Sequence, residues 1–353
     1  MRKVLIAGLL GGLGATAYAQ SNVTMYGLAD AYVGYGKSAN TFKQTRVGEG
    51  GYAASQLGFR GSEDLGGGLK ANFNVEMGIS LDTGNGNIPG PSLAFTRQSW
   101  VGLSGNWGAV TFGRQYTPLF RLTWRPDPFG VNTVFSPVTL WAQTDAQAGL
   151  LAWAARSDNA LMYSSPTNLP VVGSFMYAPG EASGPSSRSG DYYGGSLTWS
   201  SGPLWLGYGF QQRRSGTAAA PVAVPSKSTS HAVAVNYQVS AFRVGASYGQ
   251  QDVDLNGIPK SSLLSLHGQV NMGRHQVLAT VTLRNVADSP RDQQQLTLGY
   301  NYDLSKRTTL YARATQLRNK GNASASLAGA GVTVAPNSGN SASLFGLGMI
   351  HRF

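Results

Sequence analysis

Apolar and polar side chains alternate along most of this chain, in segments of about ten residues that are separated by turn-forming residues. In residues 69–77, Phe73 and Val75 fall on one face of an extended strand. Asn74 and Glu76 fall on the opposite face. The same period returns in residues 203–211, 241–249, 276–284 and 293–302. Because a period of two belongs to strands, whereas helices repeat about every 3.6 residues, the sequence predicts an all-β fold with one apolar and one polar face per strand.

The connectors between these segments alternate between short turns and long loops. The short turns occupy residues 64–68, 105–108, 202–203, 240–241, 272–273 and 304–307. The long loops occupy residues 37–50, 82–92, 181–190, 215–230, 252–260 and 320–340. Short connections at one end of the strands and long ones at the other are typical of an antiparallel meander. About sixteen segments lie between residues 22 and 353, an even number that is typical of closed transmembrane β-barrels.

Aromatic residues separate a membrane barrel from a soluble two-sheet sandwich, which would show the same alternation. Tyrosines and tryptophans recur near strand ends, where an outer-membrane barrel carries its two interfacial belts. These residues are Tyr26, Trp100, Tyr163, Tyr177, Trp199, Tyr208, Tyr248, Tyr300 and Tyr302. Charged residues make up only 12% of the chain, about half of their share in an ordinary soluble protein. Both observations favour a barrel whose apolar faces contact outer-membrane lipid.

The N-terminus has the parts of a secretory signal peptide. Arg2 and Lys3 form a basic start, and an apolar run leads to the small-x-small cleavage site at residues 17–19. The alternative, a buried N-terminal helix, lacks an accompanying amphipathic pattern. We therefore expect a signal peptide at residues 1–19 and one transmembrane barrel domain at residues 20–353.

Charge and cysteine content exclude several other classes of protein. The formal net charge is +11, and the mature chain, without the two cations of the leader, keeps +9. No nucleic-acid partner is expected, because the chain is exported and its basic residues are dispersed. Cysteine is absent, which rules out disulfides, thiolate chemistry and zinc–thiolate sites.

The last segment keeps the alternation up to the final residue of the sequence. Its apolar face carries Phe345, Leu347, Met349, His351 and Phe353. We expect this strand to close the barrel against the first strand, residues 22–36, since closure removes the unpaired sheet edges. A terminal Phe on such a strand also resembles the assembly signal of outer-membrane proteins.

Several stretches, spread in the same order over nearly the whole mature chain, resemble the general porins of Gram-negative bacteria, of the Neisseria and Comamonas type. They are residues 23–30, 57–66, 97–103, 112–118, 304–308 and 351–353. The resemblance implies a sixteen-stranded barrel in the bacterial outer membrane, assembled as a homotrimer. It also implies a passive, water-filled channel for small hydrophilic solutes and ions, with a long third loop folded into the lumen. The one connector long enough to be this loop is residues 117–155. An external lid of the same length is the alternative.

Arginines are the candidate selectivity residues, because a wide pore discriminates solutes by the charges that line it. Strand phase predicts that Arg60 faces the lumen, opposite Leu57 and Phe59, and that Arg97 does so opposite Trp100. The resemblance implies the same position for Arg114 and Arg156. It also implies that residues 127–130 form the tip of the third loop.

The third loop and two departures from the family pattern complete this site. The loop carries Arg121 and Arg125, and the resemblance implies that Asp127 faces the cationic wall. Gln56 stands where these porins commonly have an arginine, and Leu28 stands where some relatives carry a lysine. Both departures remove positive charge, so we expect a preference for anions whose strength the sequence leaves open.

An outer-membrane barrel enzyme, such as a hydrolase, and a substrate-specific channel are the alternative functions. Catalysis is not expected, because the four histidines lack metal-ligand spacing and a neighbouring carboxylate. These residues are His231, His267, His275 and His351. No cofactor or metal site is expected for the same reason.

Overall fold

The computed structural model describes residues 22–38, 43–86, 94–130, 134–136, 138–141, 153–254, 258–327 and 339–353. The expected signal peptide lies outside these residues, and so does Asp145 of the third loop.

Seventeen antiparallel strand segments form one closed sheet in the described residues. The first nine are β1 (Asn22–Ser38), β2 (Lys43–Glu49), β3 (Gln56–Gly66), β4 (Leu69–Gly78), β5 (Gln98–Gly105), β6 (Gly108–Tyr116), β7 (Arg156–Ser164), β8 (Val171–Ala178) and β9 (Tyr192–Ser201). The other eight are β10 (Leu204–Arg214), β11 (Lys227–Val239), β12 (Phe242–Asp254), β13 (Ser261–Met272), β14 (His275–Val286), β15 (Gln293–Asp303), β16 (Thr308–Asn319) and β17 (Ser341–Arg352). Each segment from β3 to β16 pairs with the next, and β17 pairs with β1.

The second strand position of the barrel is split between β2 and β3. Both segments pair with β1, β2 along its second half and β3 along its first. An insertion at residues 50–55 separates them, and the Asp30 carboxylate accepts hydrogen bonds from the Tyr52 and Ala53 amides at 2.7 and 2.6 Å. The barrel therefore has sixteen strand positions, as the sequence predicted.

The seam between β1 and β17 confirms the predicted closure. The two strands pair in register from Leu28↔Arg352 to Ser38↔Ala342. Phe353 then exchanges two backbone hydrogen bonds of 3.1 Å with Gly27. A Cβ at Gly27 would lie 2.5 Å from the Phe353 ring, so this contact requires glycine.

The two faces of the strands follow the sequence pattern over most of the barrel. Large apolar side chains are exposed on the outer face, as at Leu206, Tyr208, Leu298 and Phe345. Two of the aromatic residues assigned to the outer belts were placed wrongly. Tyr26 and Trp100 face the lumen, where the Tyr26 hydroxyl donates to Glu76 and the indole nitrogen of Trp100 donates to Gln98. The phase argument that set Arg97 opposite an outward Trp100 was therefore wrong, and Arg97 reaches Glu76 from the residue before β5 begins. Tyr and Trp occur on both faces of a barrel because each combines an apolar ring with a polar group.

The third loop lies inside the lumen, which confirms the inserted position and excludes the external lid. It begins with α1 (Pro118–Trp124) and includes the short helix α2 (Val138–Trp141). Thr117 caps α1 by accepting a hydrogen bond from the Phe120 amide, and its hydroxyl donates to the Ala154 carbonyl at 2.7 Å. This residue thereby joins the two ends of the loop.

Glycines on the inner face of the wall make room for this loop. A Cβ at Gly207 of β10 would lie 2.6 Å from Leu122, and one at Gly249 of β12 would lie 1.7 Å from Trp141. A Cβ at Gly299 of β15 would lie 2.6 Å from the Phe129 ring. The loop therefore packs against the arc of the wall formed by β8–β17. Its buried apolar side chains form one cluster with wall residues of that arc.

No helix in the described part of the chain is both long and apolar enough to cross a bilayer.

Candidate functional site

Glu76 lies at the centre of a polar network on the arc of the wall that the loop leaves open. Its register partner across β3 is Gly58, which puts it on the same inner face as Gln56 and Arg60. The Arg97 guanidinium donates to the Glu76 carboxylate at 2.8 Å, and both side chains are nearly buried. The Tyr26 hydroxyl and the Gln56 amide donate to the other carboxylate oxygen at 2.9 and 3.2 Å.

The Tyr116 hydroxyl joins two of the predicted arginines. Arg97 donates to it at 2.8 Å and Arg156 at 2.7 Å. Tyr116 ends β6 and Arg156 begins β7, and the two residues are register partners. The third loop therefore leaves and re-enters the wall at this point. The Arg156 guanidinium also lies 4.3 Å from the centre of the Tyr116 ring, at cation–π distance.

Arg60 and Arg114 lie at the two sides of this network. The Arg60 guanidinium is exposed in the lumen, 5.0 Å from the centre of the Tyr26 ring. Arg114 lies where the pairing of β6 with β7 shifts register, between Gly113 and Gln115. It forms an ion pair with Asp158 and donates to a backbone carbonyl. Arg60, Arg97 and Arg156 are thus linked through Tyr26, Glu76 and Tyr116, and the charge of Arg114 acts on Arg156.

The exposed side of α1 faces into the lumen. Arg121, Trp124 and Arg125 are its exposed residues, whereas its other side chains are buried against the wall. The helix is held by an aromatic stack in which the Phe120 ring lies parallel to the Tyr116 ring, with centroids 5.0 Å apart. Arg121 is close enough to Tyr116 for its charge to act on the phenol.

Asp127 differs from its predicted role. Its carboxylate is 5% exposed and accepts hydrogen bonds from the Ser136 hydroxyl at 2.6 Å and from the Phe129 amide at 3.0 Å. The arginine whose charge acts on it is Arg243 of β12, not one of the four wall arginines. Burial raises the pKa of this carboxyl to about 6, against the two hydrogen bonds, which lower it. Asp127 therefore orders the tip of the loop from within.

Comparison with known proteins assigns this architecture to a family. The model of the Gram-negative porin family matches residues 6–322. The chain belongs to the Gram-negative porin family. Outer membrane porin protein 32 of Delftia acidovorans is 32% identical over 91% of this chain and 90% of that protein. The major outer membrane protein P.IB of Neisseria gonorrhoeae is 28% identical over 90% of this chain and 94% of its own.

A solved structure agrees with this assignment over the whole barrel. The anion-selective porin from Comamonas acidovorans superposes with a TM-score of 0.81 at 29% identity, covering 95% of this chain and 100% of that chain. This porin is thus a passive channel of the bacterial outer membrane and not an enzyme. Within its described residues, no group of three or more histidine or acidic side chains could hold a metal ion.

Three residues of the porin's site were not assigned from the sequence: Glu76, Tyr116 and Asp158. The alternation did put Glu76 on the polar face of β4, and this phase was the available signal. Tyr116 belongs to a stretch that carries the family resemblance, but nothing in that stretch indicates a hydroxyl shared by two arginines. Asp158 could be found only from its contact with Arg114, which depends on the shifted register of β6.

The two departures from the family pattern occupy neighbouring positions. Leu28 and Gln56 are register partners on β1 and β3. Gln56 donates to Glu76, so it hydrogen-bonds a carboxylate that an arginine there would ion-pair. Leu28 packs beside an apolar cluster that includes Tyr32 and Ile350.

Proposed function

We propose that this porin passes small hydrophilic solutes and prefers anions, and that the selecting surface consists of Arg60, Arg97, Arg114 and Arg156. The observation that carries the proposal is the connection of Arg60, Arg97 and Arg156 through Tyr26, Glu76 and Tyr116. Arg114 lies close enough for its charge to act on Arg156. Arg121 and Arg125 on the exposed side of α1 add to the same field.

The carboxylates of the described wall offset this field only in part, since Arg60 and Arg156 form no ion pair in the described residues. Glu76 and Asp158 each pair with an arginine, and Asp127 is buried within the loop. A charge acts strongly on an ion within a Debye length, about 8 Å at physiological salt. Anions are therefore concentrated in the passage and cations are repelled. The relative that is named as anion-selective supports this direction.

The test is the reversal potential in a potassium chloride gradient across a planar bilayer. The wild-type channel is expected to prefer chloride. The double variant Arg60→Gln/Arg156→Gln removes two cations without leaving Glu76 unpaired, and its reversal potential should move toward cation preference, more so at low salt. Arg318→Gln, on the outer face of β16, is the matched control. An unchanged reversal potential in the folded double variant would contradict the proposed selecting surface.

We further propose that three copies form the functional assembly. The family resemblance favours it, and a porin-fold structure from Vibrio cholerae is described as a trimer form. Chemical cross-linking in intact outer membranes should give a band at three times the monomer mass. A monomer band alone, with a known trimer cross-linked in parallel, would contradict this.

A further inference from the structure

A basic cavity lies on the loop side of the network formed by Arg97, Glu76, Tyr116 and Arg156. Its volume is about 380 Å³. It is lined by the loop-side ends of β6, β7, β9 and β10, and by residues 216–219 of the following loop. Arg114 and Arg156 reach it from the constriction, and Arg213 of β10 reaches it from the opposite side.

Arg213 had no role in the site described so far. It pairs in register with Tyr192 of β9, which is buried on the lumen side, so strand phase directs Arg213 inward as well. Asp158 lies between the arginines: it forms the ion pair with Arg114, and its charge also acts on Arg213. The Asp158 side chain is 66% exposed, although it is bound to Arg114.

The loops that cover the cavity are held together by hydrogen bonds. The Ser189 hydroxyl donates to the Val222 carbonyl at 2.9 Å and accepts from the Val222 amide at 2.8 Å. The Gly180 amide donates to Asp191 at 3.0 Å, and the Gly190 amide donates to the Ser215 carbonyl at 3.2 Å. A cavity covered by fixed loops loses little conformational entropy when an ion enters it.

We propose that this cavity is a binding station for a small anion with two negative charges. Arg213 determines its specificity, and the Asp158 carboxylate competes with the anion for the arginines. The inference rests on the proposed anion preference and names the class of anion that is retained above the constriction. Three guanidinium groups face one carboxylate, so two positive charges remain to be balanced. A dianion that displaces Asp158 from Arg114 can engage guanidinium groups from both sides, because their planar donor forks match oxyanions. A monovalent anion gains only part of this interaction.

The test is block of chloride current by sulfate, which carries two charges at every relevant pH, added from the loop side of a planar bilayer. Arg213→Gln should raise the half-blocking sulfate concentration about tenfold or more, the scale of one charge-assisted hydrogen bond. Arg213→Lys should recover part of this loss, since the charge returns without the planar fork. Asp158→Asn should lower the half-blocking concentration. Acetate, with one charge, should block weakly in all variants, and Arg318→Gln should behave as wild type.

The outcomes separate this inference from the proposed function. A folded Arg213→Gln channel that keeps the wild-type half-blocking concentration overturns the binding station, even where the reversal potential still shows anion preference. Equal block by sulfate and acetate also overturns it. A wild-type channel that prefers cations contradicts the proposed function instead. The reversal potential of Arg213→Gln should stay close to the wild-type value, because the constriction arginines are intact.

Discussion

Glu76 holds three donors of the constriction in place, and its charge opposes that of the arginines. Arg97 donates to one of its oxygens, and Tyr26 and Gln56 donate to the other. A carboxylate at this point fixes the direction of the Arg97 guanidinium at the cost of one negative charge in the passage. Charge and geometry can be separated here by an isosteric change.

Glu76→Gln should increase the preference for anions, because it removes this negative charge while keeping an oxygen for Arg97. The reversal potential in a salt gradient should move further toward the chloride value. Unfolding should become easier by about 1–3 kcal/mol, since Arg97 loses an ionic acceptor. Glu63→Gln, at an exposed site in β3, is the control. A shift toward cations would show that Glu76 acts mainly by positioning Arg97.

The Asp127 carboxyl should make the loop tip less stable as the pH rises. Its folded pKa of about 6 lies above the ordinary value of 3.8, so the folded protein binds the extra proton between these two values. This contribution to stability is fully present below about pH 4 and is lost as the pH rises through about 6; a shift of this size corresponds to about 3 kcal/mol. Unfolding in detergent should therefore show a fall in stability from pH 4 to pH 7 that is smaller in Asp127→Asn. Equal pH dependence of both proteins would contradict the raised pKa.

At the scale of elements, the third loop and the glycines beneath it form one packed unit. A Cβ at Gly249 would overlap the Trp141 ring, whereas Gly268, on the neighbouring strand β13, has open space beside it. The loop therefore depends on particular wall positions having no side chain. This dependence allows a comparison between Gly249, which faces the lumen and meets the loop, and Gly268, which lies on the outer face of the wall and meets nothing.

Gly249→Ala should displace α2 from the wall, with an overpacking cost of about 1–3 kcal/mol. Single-channel recordings should then show a changed and more variable conductance, because the loop sets the bore. Gly268→Ala should conduct as the wild type does. The idea fails if both variants fold and show the same conductance.

The strands could be predicted from the sequence because each has a period of two and a lipid-facing side that must be apolar. The side of the wall on which Tyr26 and Trp100 lie could not be predicted, since an aromatic residue suits either lipid or lumen. The buried position of Asp127 could not be predicted either, because it depends on which side of the loop packs against the wall. For the same reason, phase alone did not identify the Tyr116 hydroxyl as the link between Arg97 and Arg156.

At the scale of the whole molecule, the barrel is closed by the pairing of β17 with β1. In a bilayer, an open sheet would leave a row of backbone groups without hydrogen-bond partners, each at a cost of several kcal/mol. The final residue takes part in this closure through its two hydrogen bonds with Gly27. The end of the chain is thus part of the wall.

Deleting Phe353 should reduce the yield of assembled barrel several-fold, because the seam loses both hydrogen bonds and the ring contact with Gly27. Heat-modifiable migration on gels of isolated outer membranes measures this yield. Asn322→Ser, in the loop between β16 and β17, should assemble as the wild type does. Equal yields for the two variants would show that the last residue contributes nothing to assembly.

The position of the third loop divides the wall into two arcs that tolerate different changes. On the arc from β8 to β17, packing limits variation: a larger residue at Gly207, Gly249 or Gly299 has no room. On the arc from β3 to β7, the loop leaves side chains such as Arg60 exposed to water, and a change at such a position alters charge with little effect on packing. Relatives of this porin can therefore diverge in the solutes they admit while the inserted loop and its support stay the same. Gln56, in the second arc, is a departure of this kind.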